Sequence, residues 1–339
     1  MKASRLVALT VLVATVSPAM SLPASASELQ LCLARAADYS AVYPTRTFPT
    51  GSTEEVSAVV RLPKGQSLRK LEATWTVVDV GTASAPGRVI NKTTIPMAGK
   101  DRAAVFMRSG GGPLPPGTYR LDVAADGKPW RSAGFSVAPV EAPVVRRPAD
   151  LLALKPGTVW RYAFVQQFGA GVKPQLPPGT TLDGAGRLRA TLTKTAVGQD
   201  DAGMHVETRR DGALVEEEWW KVTGAGLVVT KMRSGGEEAA FDPPGPIWPW
   251  PLKTPRGWTF QPPGEAVAQA FRMWGPVLLK TPAGERPGYV VLMEQRATPH
   301  EVSVERQYVP GVGMVREVVT QARNGMLLTG WESVLAAKP

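Results

Sequence analysis

From Arg187 to Lys194 apolar and polar side chains alternate without a break. Leu188, Ala190 and Leu192 fall on one side, and Arg187, Arg189, Thr191 and Thr193 on the other. A period of two belongs to a strand with one buried face, and a helix cannot gather such a pattern onto one side. The pattern returns in Val206 to Arg210, Leu214 to Val222, Leu227 to Met232, Tyr289 to Arg296, Glu301 to Val309, Met314 to Gln321 and Met326 to Val334. Between these runs lie Asp211-Gly212, Gly224 to Gly226, Gly311 to Gly313 and Asn324-Gly325, the residues that tight antiparallel turns require. Residues 151 to 336 therefore read as a long antiparallel meander. It must curl to cover its apolar face, giving a half-barrel or open barrel. One helix is expected, over Glu265 to Trp274, where Val267, Ala270, Phe271 and Trp274 recur at helical spacing.

The segment before it, residues 28 to 138, carries shorter runs of the same kind: Val56 to Leu62, Leu71 to Val80, Val89 to Ile95, Ala103 to Met107, Thr118 to Ala124 and Ser132 to Val137. Turn chemistry stands at Pro63-Lys64-Gly65, Pro115-Pro116-Gly117 and Asp126-Gly127. About seven strands in roughly 110 residues is the rhythm of an immunoglobulin-like sandwich. The stretch from Leu114 to Leu121, with Phe135-Ser136-Val137 as closing strand, resembles bacterial Ig-like domains. The fold class expected is all-β: an N-terminal Ig-like β-sandwich, a Pro-rich linker over 139–150, and the curled antiparallel sheet.

Residues 1–26 read as a cleavable secretory signal. Lys2 and Arg5 precede an apolar run from Leu6 to Val16, and Ala24-Ser25-Ala26 offers small residues for cleavage. The run is too short to span a bilayer, and Lys, Arg, Glu or Pro interrupts every later apolar run, so no transmembrane segment is expected. The chain is placed outside the cytoplasm, periplasmic or extracellular. Cys32 is the only cysteine, and Leu31 before it is not the small residue of a lipoprotein site, so Cys32 reads as a buried thiol in the first strand. A single cysteine also excludes a disulfide framework within the chain. The net charge of +10 suits anionic partners of the envelope, but Lys and Arg are dispersed among acids, which argues against nucleic acid.

Three segments of the second domain are distinctive. Leu154-Lys155-Pro156-Gly157-Thr158-Val159-Trp160-Arg161-Tyr162 has the form lKPGxxWxY, and Pro249 to Lys253 with Gly257-Trp258-Thr259-Phe260 looks like a degenerate second copy. Arg306 to Val315 contains Tyr308-Val309-Pro310-Gly311-Val312-Gly313. Together they resemble a family of uncharacterised bacterial envelope proteins, many of them lipoproteins. The resemblance implies a LolA-like or lipocalin-like open barrel and brings no catalytic residues. On physical grounds the Pro-Gly-Val-Gly run is a turn or bulge between paired strands. The two aromatic strands preceded by a Pro-Gly or Pro-Arg-Gly turn suggest a pseudo-repeat of two half-sheets.

The sequence offers little for catalysis. His205 and His300 are the only histidines and read as strand and turn residues, so a His-based triad or multi-His metal site is not expected. No nucleophile elbow, Walker loop or dinucleotide fingerprint is present. Gly110-Gly111-Gly112 leads into Pro113 rather than a helix and cannot cradle phosphate. Glu216 and Glu218 share one strand face beside Trp219 and Trp220, the material of a glycan hydrolase. Side chains two apart on a strand are about 7 Å apart and parallel, however, and the plain reading is a solvated strand edge defended by charge. Asp200-Asp201 reads as a loop. Trp160, Trp219, Trp220, Trp258, Trp274 and Trp331 read as core.

The most suggestive stretch is Phe241 to Pro251, where five prolines stiffen a segment carrying Trp248 and Trp250. As a loop it could cover a barrel mouth, or pack its tryptophans back onto the sheet. The reading is an exported envelope binding protein, not an enzyme, with no metal or cofactor. An apolar or lipid-like ligand would lie near Phe241, Trp248, Trp250, Trp258 and Phe260. The alternative is a structural or assembly protein whose partner is another envelope protein.

Overall fold

The structure, a computed structural model, describes residues 28–336 apart from 52, 64, 111, 153, 175 and 177–179. Residues 1–26, read above as a secretory signal, and Gly111 lie outside the described residues. The chain divides near residue 141 into two compact units. No described helix is long and apolar enough to cross a membrane.

The first unit holds nine strands: β1 (Glu28–Arg35), β2 (Ala41–Pro44), β3 (Thr47–Pro49), β4 (Glu55–Arg61), β5 (Lys70–Asp79), β6 (Val89–Pro96), β7 (Arg102–Arg108), β8 (Gly117–Ala125) and β9 (Lys128–Ala138). They form a four-stranded sheet in the order β2-β1-β4-β7 and a five-stranded sheet in the order β3-β9-β8-β5-β6. Pairing is antiparallel except for β3 with β9. Alternation drives one face of each strand inward, so Val56, Trp75, Met107, Leu121 and Phe135 are buried. Phe135 is the hub: Phe48 and Trp75 meet it edge-on, and Tyr119 stacks on it. Cys32 lies in β1, fully buried as expected. Asp126 and Gly127 both take positive φ, 48° and 81°, which gives the tight β8–β9 hairpin.

The second unit is one twelve-stranded antiparallel sheet, curled into a nearly closed barrel. Its strands are β10 (Val159–Phe168), β11 (Leu188–Asp200), β12 (Gly203–Arg210), β13 (Ala213–Thr223), β14 (Gly226–Ser234), β15 (Glu237–Pro249), β16 (Arg256–Phe260), β17 (Gln269–Thr281), β18 (Gly284–Ala297), β19 (His300–Val309), β20 (Gly313–Arg323) and β21 (Met326–Leu335). Their order is β15-β14-β13-β12-β11-β10-β21-β20-β19-β18-β17-β16. Two six-stranded meanders thus join where β10 pairs with β21, and each begins at one of the two aromatic motif copies.

Two expectations are corrected here. Glu265 to Trp274 is not a helix, because β17 begins at Gln269 and pairs with β16, setting Trp258 opposite Phe271. Cross-strand pairing with the neighbouring β16 outweighs a short helical period, and Gly275-Pro276 would end a helix there in any case. The proline-rich stretch is not a loop either, since it forms most of β15. Prolines lack the N–H that a central strand must donate, and β15 is a terminal strand of the sheet.

Candidate functional site

Cross-strand register defines the barrel's inner face. Starting from Tyr162 and Phe164, it runs through Leu192 and Lys194 to Thr208, then Glu216, Glu218 and Trp220 on β13. In the other direction it passes Ser333 and Trp331, then Glu317 and Val319, then Arg306 and Tyr308, and reaches Tyr289 on β18. Arg272 is ion-paired with Glu294, which alternates with inward Met293, so Phe271 and its partner Trp258 also face inward.

One end of this face is packed. Trp160, Tyr162, Trp248, Tyr289 and Tyr308 are all buried. The Trp248 ring lies edge-on against Tyr308, with centroids 4.7 Å apart, and against Tyr289 at 6.0 Å. The two distinctive motifs meet at this end. Trp160 Nε1 donates to the Val312 carbonyl at 2.8 Å, and the Tyr162 hydroxyl donates to the Met314 carbonyl at 3.0 Å. The Pro-Gly-Val-Gly run is the β19–β20 turn, as expected, with Gly311 at φ 75° and Gly313 at φ 104°. Burial raises the Tyr162 hydroxyl pKa and pushes that of Tyr308 up to about 12.

Beyond the aromatic end lies a charged layer. Lys194 Nζ is 3.2 Å from Glu218 and 4.0 Å from Glu216, and Arg306 Nε donates to Glu317 at 2.7 Å. The Trp331 side chain also favours the charged form of Glu317. Glu216 and Glu218 are thus not a solvated edge, because β13 is an interior strand and the curl points both side chains into the barrel. Protein surrounds these groups, yet Glu216 keeps 24% of its side-chain surface accessible and Arg306 38%.

The electrostatics follow from this enclosure. Burial pushes the Glu216 carboxyl up to about 7, and neighbouring Glu218 adds to the effect. Burial works against the charge on Lys194, but Glu218 and Glu216 outweigh it and raise its pKa. Burial likewise opposes charge on Glu317, and Arg306 with Lys194 wins, holding that carboxyl below its usual range.

Several polar atoms on the inner face have no hydrogen-bond partner among the described residues: Thr208 Oγ1, Ser333 Oγ and the indole N–H groups of Trp220, Trp248 and Trp258. Buried polar groups in folded proteins are nearly always paired, so these atoms are free to take a partner from water or a ligand.

The sequence-proposed site residues gather around the β15–β16 seam. Phe241 and Phe260 meet edge-on across it at 6.4 Å, and Phe260 also lies against Gly245. Trp258 stacks on Phe271 at 5.1 Å. Trp248 is buried in the packed end, while Trp250 lies half-buried in the β15–β16 connection. Of the tryptophans read as core, Trp160, Trp219 and Trp274 are buried, whereas Trp220, Trp258 and Trp331 are half-buried. The charged layer itself went unrecognised in the sequence. Its one legible signal was the Glu216–Glu218 pair on a single strand face.

The outer face of β12–β14 carries a second cluster. His205 stacks on Trp219 at 4.5 Å, and its Nε2 lies 3.0 Å from Glu217. Lys231 Nζ sits 4.3 Å from the Trp219 ring centroid, and Trp219 Nε1 donates to Asp200, the last residue of β11. His205, Glu207 and Glu217 bring possible metal ligands within 4.8 Å of one another. Arg209 already holds Glu207 at 2.8 Å, and Arg233 holds Glu217 at 3.1 Å. The cluster is a satisfied ion-pair network. No protein-family model matches this chain, and no curated protein is significantly similar to it.

Proposed function

We propose that the protein is an exported envelope binding protein, and that the barrel of its second unit holds an apolar or lipid-like ligand. The observation that carries this reading is that Thr208, Ser333, Trp220 and Trp258, all on the inner face, have polar atoms without a partner among the described residues, with Trp258 stacked on Phe271. Small-molecule sites usually combine aromatic or apolar walls with a few polar groups. The leader at residues 1–26 supports export.

Native mass spectrometry of the chain from Ser27, purified without detergent, tests the reading, together with titration of a fluorescent fatty-acid probe. The expected result is a co-purifying mass or saturable probe binding, weakened by Trp220→Leu and Trp258→Leu. A bare mass combined with no probe binding would remove the reading and leave a structural role.

A further inference from the structure

On the inner face Glu216 has no cation within hydrogen-bond distance among the described residues. Three carboxylates, Glu216, Glu218 and Glu317, face Lys194 and Arg306. Lys194 is committed to Glu218 at 3.2 Å, and Arg306 to Glu317 at 2.7 Å. Glu216 is left with Lys194 at 4.0 Å, beyond hydrogen-bond reach, and no other cation within ion-pair distance among the described residues. Arg210, the next inner-face cation along β12, ion-pairs with none of the three carboxylates. Directly opposite Glu216 on β12 is Thr208, only 5% exposed, whose hydroxyl has no partner. On the other neighbour, β14, the residue opposite Glu216 is Ser234.

Resting on the binding role just given, we propose that the ligand is an amphiphile with a primary ammonium head group, seated at Glu216 and Thr208. An ammonium brings to Glu216 a positive charge within hydrogen-bond reach and three N–H donors, which a carboxylate and a hydroxyl oxygen accept. The chain would lie along the aromatic inner face. An anionic head group would meet the Glu216 carboxylate and is disfavoured. A quaternary ammonium has charge but no N–H to offer Thr208.

The test is isothermal titration of the full mature protein at pH 8 with decylammonium, decyltrimethylammonium, decyl sulfate and decanol, below their aggregation limits. Decylammonium is expected to bind about ten-fold or more tighter than decanol, the scale of one charge-assisted hydrogen bond. Glu216→Gln should bring the two within about two-fold of each other. Thr208→Val, which keeps shape and removes the hydroxyl, should weaken decylammonium selectively and narrow its lead over the trimethyl analogue. Equal binding of all four ligands to the parent, or a preference for the sulfate, would overturn the head-group assignment and leave the apolar site standing. Failure of every ligand, decanol included, would sink the binding role itself.

Discussion

Trp160, near the start of the barrel, donates its indole N–H to the carbonyl of Val312 across a separation of 152 residues. The bond ties the opening strand to the β19–β20 turn at the packed end. Gly313 is part of the same junction, because a Cβ there would lie 2.9 Å from Trp160 Nε1 and the residue sits at φ 104°. Trp160→Phe should therefore lower stability by about 1–3 kcal/mol through a lost donor and a stranded carbonyl. Gly313→Ala should destabilise comparably through strain. Urea unfolding midpoints of both variants check this.

Lys194 neutralises Glu218 inside the barrel, with both side chains 16% accessible. Removing one partner of an enclosed ion pair strands the other, so Lys194→Met is expected to cost about 3–5 kcal/mol. The double variant Lys194→Met/Glu218→Gln should recover most of that loss. A double variant no more stable than the single one would show that the methylene packing of Lys194, not its charge, matters.

Burial raises the Glu216 carboxyl to about 7, from an ordinary glutamate value near 4.5. The folded state therefore binds a proton more tightly than the unfolded chain. The stability linked to Glu216 is complete below its unfolded pKa and is lost as pH rises through about 7. Lys194, Glu218, Glu317 and Arg306 all bear on this carboxyl. Glu216→Gln should flatten the fall in stability between about pH 5 and pH 8, measured by thermal melts across that range.

Cys32 is fully buried in β1. A thiol reagent should leave the native protein unlabelled and modify one site per chain only once denaturant unfolds the first unit. Because the chain has a single cysteine, the reaction reports on that strand alone.

Gly226 pairs with Pro249 at the head of β14, at φ 137°, and a Cβ there would run into the Trp248 carbonyl. Gly226→Ala should therefore loosen β15 from the sheet. The expected readout is faster proteolysis within residues 237–249 and a red shift of tryptophan emission.

The sequence by itself determined much of the local order. Alternation placed Leu188, Ala190 and Leu192 on one face, and the pairs Asp211-Gly212 and Asn324-Gly325 set hairpins because their backbones accept positive φ. It also marked Trp160 and the Pro-Gly-Val-Gly turn as distinctive, and singled out Phe241, Trp258 and Phe260. Period and turn chemistry are properties of neighbours in the chain, so they can be read without a structure.

What the tertiary structure decided was which strands lie at the ends of the sheet and what its inner face encloses. The prolines of β15 announced a break in hydrogen bonding, but only the strand order showed that the break is the barrel seam. Glu216 and Glu218 look identical on a solvated strand and on an enclosed one. Their counterparts Arg306 and Glu317 come from strands about ninety residues later, brought near by the curl of the sheet. Alternation tells which residues share a face, but the closure of twelve strands is a global property, and it alone turns that face into an interior.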